Sequence, residues 1–307
     1  MGGKAFVVSL VVLIGFGAPV VAQEESADTL IEQQKALDAE TRGPVSRVGV
    51  MDAGAGAIRG SSGLLFAGVD DATVSTYTVD PSDNTITPQF LGFEIWGAAL
   101  IPAPAAGDGV VYFNDGADLY RWPANGAPEL CCTLTFAAAN IATVGIAYDP
   151  TGGRLLFSKN ISTEAIYALP VVAGSCPVAC AVTQEIVYDD TAYDFGGLAY
   201  DAGNDILYGS SDDSSPGPAG VYQINGDGSA TLVAAYPAGY TDVDGLAYGN
   251  GFLYLVTDEP GDFPVYDIGG GAYVTPLTNP WASAEVFSGG SFGDGFVPVE
   301  LQSLSVE

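Results

Sequence analysis

Histidine is absent from this chain of 307 residues, and lysine and arginine together number only 8. The first absence removes every mechanism that needs an imidazole base or metal ligand, the Ser-His-Asp triad among them. The second leaves 37 acidic residues nearly unopposed, for a formal charge of -29 at pH 7. Such a field repels phosphate backbones and anionic membrane surfaces, so nucleic acid is not an expected partner. It favours cations and basic surfaces, or serves simply as a solvated acidic coat. Cysteine numbers 4, and Cys131, Cys132, Cys176 and Cys180 do not form two spaced C-x-x-C pairs, which argues against zinc. Charged residues are scarce at 15%, but 48% of the chain is hydrophobic, so a substantial core can form.

Residues 1–22 read as an export signal. Lys4 precedes an apolar run from Ala5 to about Val21, and the small residues Val20 and Ala22 stand just before Gln23. The run approaches the length of a membrane span, but Gly15, Gly17 and Pro19 suit a cleaved signal better than an anchor. The expected location is therefore secreted, extracellular or periplasmic, with no membrane span left after cleavage. Residues 23–44 are polar. Thr29 and Glu32 could form a capping box for a short helix that Gly43–Pro44 ends, and the segment reads as an arm or linker.

From residue 45 to 299 the composition turns to Gly, Ala, Val, Tyr and Asp with many short strands. One phrase repeats: Gly145–Ile146–Ala147–Tyr148–Asp149 before Leu155–Leu156–Phe157, Gly197–Leu198–Ala199–Tyr200–Asp201 before Ile206–Leu207–Tyr208, and Gly245–Leu246–Ala247–Tyr248 before Phe252–Leu253–Tyr254. Strand-opening glycines fall at Gly49, Gly97, Gly145, Gly197, Gly245 and Gly290, at intervals of 48, 48, 52, 48 and 45 residues. A near-constant period of this size marks a repeat architecture. Four strands fit each unit: Gly97–Ile101, Gly109–Phe113, Asp118–Trp122 and Glu129–Phe136 in the second, while Asn250–Gly251 marks a tight hairpin in the fifth. The expected fold is all-β, a β-propeller of four-stranded blades. Six blades are favoured, with an outer strand from the N-terminal arm closing the ring. Five blades are the alternative, and a β-sandwich is the competing architecture. Ala147, Ala199 and Ala247 supply small side chains where blades converge, and Tyr148, Tyr200 and Tyr248 fill space beside them.

The pattern G-[IL]-A-Y-D, a hairpin, then L-[LY]-[FYG] and V-Y or I-Y resembles the repeat of bacterial secreted propellers of the broad NHL and YVTN type, over about residues 45–299. That resemblance implies architecture and leaves function open, because propellers host many activities. The ending, residues 300–307 with Pro298 and Val299 before them, resembles the tail that follows domains in exported bacterial proteins.

An even cysteine count in an exported chain implies disulfides, with three possible pairings. Cys176 and Cys180 flank Pro177 in the one lengthened unit and are expected to close that loop. Cys131 and Cys132 are adjacent in an outer strand and point to opposite faces. The alternative is that one of them reaches the next blade's loop.

Blade topology sorts the carboxylates. Glu94, Asp194, Asp242, Asp244 and Glu285 precede inner strands, and Asp115, Asp212, Asp213, Asp258 and Glu259 lie in second-to-third-strand loops. All are expected at one end of the ring, the first five nearest the axis as ligands of a hard cation, the others as a binding face with Trp96 and Phe195 at its lip. Calcium is the expected ion. The plain alternative is that these acids cap turns and face water. No catalytic residue is assigned. The leading expectation is a non-enzymatic binding module for a protein, glycan or surface polymer. The rival is a metal-dependent hydrolase resembling six-bladed lactonases, whose metal sits on Glu, Asp and Asn.

Overall fold

The computed structural model describes residues 63–102, 109–123, 126–159, 164–172, 174–189, 191–212, 217–259, 261–281 and 287–293. The signal, the polar arm, the C-terminal tail, Gly49, Asp213 and Glu285 lie outside these residues.

Among the described residues, twenty strands form five four-stranded antiparallel sheets, each running from an inner to an outer strand. Blade two comprises Gly97–Ile101, Val110–Asn114, Asp118–Pro123 and Glu129–Thr133. Blade three comprises Ile146–Asp149, Arg154–Lys159, Ala165–Pro170 and Thr183–Val187. Blade four comprises Phe195–Asp201, Ile206–Ser211, Gly220–Ile224 and Ala230–Ala235. Blade five comprises Gly245–Gly249, Phe252–Val256, Phe263–Asp267 and Ala272–Leu277. Blade one is made from both halves of the chain. Its inner strand is Ser288–Gly293, paired with Leu64–Val69, and Tyr77–Val79 and Ile86–Pro88 follow.

That pairing corrects the expectation of six blades. The last inner strand does not start a sixth sheet. It completes the first, with Phe66 opposite Ser291 and Leu64 opposite Gly293. Closure in this way gives blade one its fourth strand and covers the side of Leu64–Val69 that would otherwise be an open edge.

The glycine period has a steric cause. A Cβ on Gly97 would collide with the carbonyl oxygen of Val144, and one on Gly145 with that of Gly196. On Gly197 it would collide with the carbonyl oxygen of Asp244, on Gly245 it would stand 3.1 Å from that of Ser288, and on Gly289 it would stand 2.9 Å from the backbone of Gly97. Each inner strand thus lies backbone to backbone against the next, and the fifth returns to the first. The axial glycine of the last strand is Gly289, one residue before the one the spacing suggests.

Apolar side chains fill the five spaces between blades. Phe66 meets Ala98 and Val111 between blades one and two, Tyr112 meets Phe157 between two and three, and Leu156 meets Phe195 between three and four. Tyr208 meets Leu253 between four and five, and Tyr254 meets Leu65 between five and one. Inner strands are buried at nearly every position because a neighbouring blade covers each face, while the outer strand Thr183–Val187 alternates between exposed and half-buried residues. In four blades the register shifts between third and outer strands, at Leu119/Tyr120, Ile166/Tyr167, Val221/Tyr222 and Phe263/Val265. Such bulges increase local twist and bend the strand.

The two disulfides join Cys131 to Cys176 and Cys132 to Cys180. This corrects the expected Cys176–Cys180 loop closure. The long connection in blade three runs back along the outer strand of blade two, and Thr135 N–H donates to Cys180 O while Val182 N–H donates to Thr135 O. Both cysteines of that outer strand therefore meet a partner in the same connection. Tyr112 Oη donates to Ser175 O at 2.7 Å from beneath it.

Candidate functional site

The residues that lead into the inner strands gather at one end of the ring, as do the ends of the second strands. Trp96, Val144 and Phe287 lead into three of the five inner strands and form a buried apolar plug, with the Trp96 and Phe287 rings 4.2 Å apart. The fifth blade's lead-in is Thr241–Asp242–Val243–Asp244. Extended backbone sends alternate side chains to opposite sides. Val243 enters the core between blades four and five, and Asp242 and Asp244 share the other side. Asp212, just past the second strand of blade four, approaches from the neighbouring sheet and accepts a hydrogen bond from Val243 N–H at 3.3 Å.

Carboxylate oxygens of Asp212, Asp242 and Asp244 lie within 4.8 Å of one another. Asp242 and Asp244 are 4% and 2% exposed. A Cβ on Gly196, the second residue of blade four's inner strand, would stand 2.8 Å from Asp244 Oδ1, so the missing side chain makes room for that carboxylate. Burial raises Asp212 well above the ordinary carboxylate range, and the charges of Asp242 and Asp194 add to the effect. The phenol of Tyr236 has its oxygen buried beside this group and is raised by burial and then by Asp212.

Calcium–oxygen distances are about 2.4 Å, so ligand oxygens up to about 4.8 Å apart can share one ion. The three carboxylates meet that condition. The donor set is all oxygen and strongly negative, which selects a hard cation.

The other expected site residues are dispersed. Asp194 is half-buried and close enough to Asp212 to act on its charge. Glu94 is half-buried beside blade two, where its carboxylate accepts from Trp96 Nε1 at 3.4 Å. Asp258 and Glu259 are buried in the second-to-third-strand loop of blade five, and Glu259 accepts from Thr241 Oγ1 at 3.2 Å. Asp115 accepts from Tyr120 Oη at 2.9 Å, and burial pushes it up to about 6. Trp96 and Phe195 do not form a lip, because both are fully buried. Phe195 is wedged between Tyr188, Tyr193 and Tyr222, at centroid distances of 4.8, 5.4 and 6.4 Å. Aromatic residues at strand entries were expected to face solvent, but blade-to-blade packing claims them.

Asp212 was assigned from sequence to the outer binding face and Tyr236 to nothing. The available signal for Asp212 was its place two residues beyond Ser210, whose hydroxyl accepts from the axial Gly197 N–H at 2.7 Å. Asp70 and Asp258 stand at the matching place in their own blades, the first accepting from Phe287 N–H at 3.2 Å.

No family model and no curated protein matches the chain. Similar solved structures include a chain of a nidogen/laminin complex, at 12% identity over 76% of this chain and all of that one, with a TM-score of 0.49. TolB from Acinetobacter baumannii is similar at 16% identity over 72% of this chain and 54% of its own, with a TM-score of 0.42. A gluconolactonase from Xanthomonas campestris is similar at 16% identity over 63% of this chain and 65% of its own, with a TM-score of 0.41. The chain thus spans about half of TolB and under two thirds of the gluconolactonase. These likenesses carry nothing about ligand or activity, and the propeller rests on the sheets and their closure.

Proposed function

We propose that the chain is an exported binding module that holds calcium on Asp212, Asp242 and Asp244 and docks a protein, glycan or surface polymer on that end of the ring. The convergence of three carboxylates within 4.8 Å carries the reading. A cation there neutralises charges that would otherwise repel at close range, and it ties blade four to blade five. Export is supported by the leader-like start of the sequence and by the two disulfides. The binding reading is preferred to hydrolysis because, among the described residues, Asn114 and Asn279 spend their amide donors on backbone carbonyls. The Asn114 amide donates to Thr143 O at 2.6 Å, and that of Asn279 donates to Thr257 O and Glu259 O.

Isothermal titration with calcium tests the ion site. The expected result is one ion per chain, and a rise in melting temperature that reaches about 2.7 kcal/mol of stabilisation at a hundredfold excess over Kd. Asp242→Asn should lose both. Absence of heat from the wild-type chain rejects the ion. Chelator-sensitive turnover of a lactone would replace the binding module with the hydrolase.

A further inference from the structure

The opposite end of the ring carries a second feature, unconnected with the carboxylates. A cavity of about 440 Å³ opens there around the ends of the inner strands. That volume lies within the range of about 300–1,000 Å³ usual for small-molecule sites. It continues into the narrow axial space between the strands. Each blade contributes the third residue after its axial glycine: Leu100, Tyr148, Tyr200, Tyr248 and Phe292 all line it. Four of the five are aromatic, and all four aromatics are only half-buried.

The electrostatics of this end are one-sided. Asp201 also lines the cavity and is 3% exposed. Its oxygens accept from Gly203 N–H at 2.9 Å, Asn204 N–H at 3.3 Å and Asn204 Nδ2 at 2.7 Å. All three donors are neutral groups and bring no positive charge beside the carboxylate. Tyr248, in the next blade, is pushed up to about 12 by burial and by its hydrogen bond to Asp201. Tyr200 Oη donates to Asp205. Arg154 in blade three is already shared between Asp149 at 2.8 Å and Glu185 at 3.0 Å. Among the described residues the other basic side chains are Arg121, paired with Glu129, and Lys159, beside Glu164.

We infer that this aromatic-walled cavity binds a quaternary ammonium ion. Aromatic rings attract a cation through their quadrupoles, and a desolvated carboxylate nearby strengthens the preference for positive charge. A primary ammonium brings three N–H donors that need acceptors. Asp201 already serves Gly203, Asn204 and Tyr248, and Asp149 accepts from Gly152 N–H and Arg154 Nε. A quaternary ammonium makes no such demand. The site is distinct from the acidic end in residues and in chemistry.

The test is calorimetric titration of the full chain with choline, with its neutral isostere 3,3-dimethylbutanol, and with N-acetyl-lysine methylamide. Choline should bind at least tenfold tighter than either. Tyr248→Leu keeps the apolar volume and should lose at least tenfold in choline affinity, while Tyr248→Phe should stay within threefold of wild type. Asp212→Asn, at the other end, should leave choline affinity unchanged, which separates this site from the calcium reading. Equal binding of the neutral isostere, equal or tighter binding of the lysine derivative, or no binding of choline overturns the inference without reliance on any variant's folding.

Discussion

Gly145→Ala tests the ring closure directly. The added Cβ would overlap the carbonyl oxygen of Gly196 and stand 2.7 Å from Leu198 N and 2.9 Å from the carbonyl carbon of Gly197. All three atoms belong to the backbone of the neighbouring inner strand, so no rotamer change relieves the contact. Blades three and four must move apart along their whole shared face, loosening the packing of Leu156, Ile166 and Phe195. Overpacking of this kind costs about 1–3 kcal/mol and occasionally more. Against it stands the lower backbone entropy loss of alanine in a strand, worth roughly 0.5–1 kcal/mol. The steric effect wins because immovable backbone surrounds the site and puts the cost at the upper end of that range, so the net loss should be about 2 kcal/mol. For a domain of this size that lowers the melting temperature by roughly 4–8 °C. Gly226→Ala is the control, since nothing lies within 4 Å of its added Cβ, and its effect should stay within about 0.5 kcal/mol. Thermal denaturation followed by circular dichroism compares the two. If Gly145→Ala melts with Gly226→Ala, the inner strands do not touch backbone to backbone and the packing of the ring is wrong.

Asp115 gives a pH-dependent effect. Burial raises its carboxyl to about 6, so between pH 4 and 6 the folded chain holds a proton that the unfolded chain releases, and stability falls as pH rises through that window. Asp115→Asn should flatten this part of the profile and stabilise the protein at pH 7 by roughly 1–2 kcal/mol after solvent screening; an unchanged denaturant midpoint at both pH 4 and pH 7 would refute it. The disulfides span 45 and 48 residues and close nearly the same loop. While one crosslink remains it still closes that loop, so the first loss should cost little and the second about 4 kcal/mol by loop entropy. Cys131→Ser should therefore melt close to wild type and the Cys131→Ser/Cys132→Ser pair well below both, and tandem mass spectrometry of the oxidised chain should find Cys131 with Cys176 and Cys132 with Cys180. Crosslinked peptides joining Cys176 to Cys180 would contradict the structure.

Much of each blade was readable in the sequence because its determinants are local. The four strands expected from 97 to 136 match those of blade two to within a residue or two, apart from the last, which breaks after Thr133 before a small hairpin of Thr135–Phe136 with Ala139–Asn140. Asn250 and Gly251 both adopt positive φ, 54° and 85°, as their dipeptide implies for a tight hairpin. The candidate site was legible only in part. Asp242 and Asp244 were grouped from sequence because both stand just before the inner strand of the fifth unit. Asp212 joins them from another sheet, and Glu94 stays away although its position in the repeat looks equivalent.

Composition, period and turn chemistry alone determined that the chain folds into repeated four-stranded sheets with small residues where they converge, because strand alternation, hairpin φ angles and axial crowding act within about 50 residues of chain. Blade number, disulfide partners, the fate of Trp96 and Phe195, and the grouping of the carboxylates were decided by contacts between segments far apart in the chain. Phe66 pairs with Ser291 because the strands of blade one that come early in the chain leave the edge of Leu64–Val69 open until the far end of the chain covers it, and that requirement belongs to the whole ring and to no single repeat.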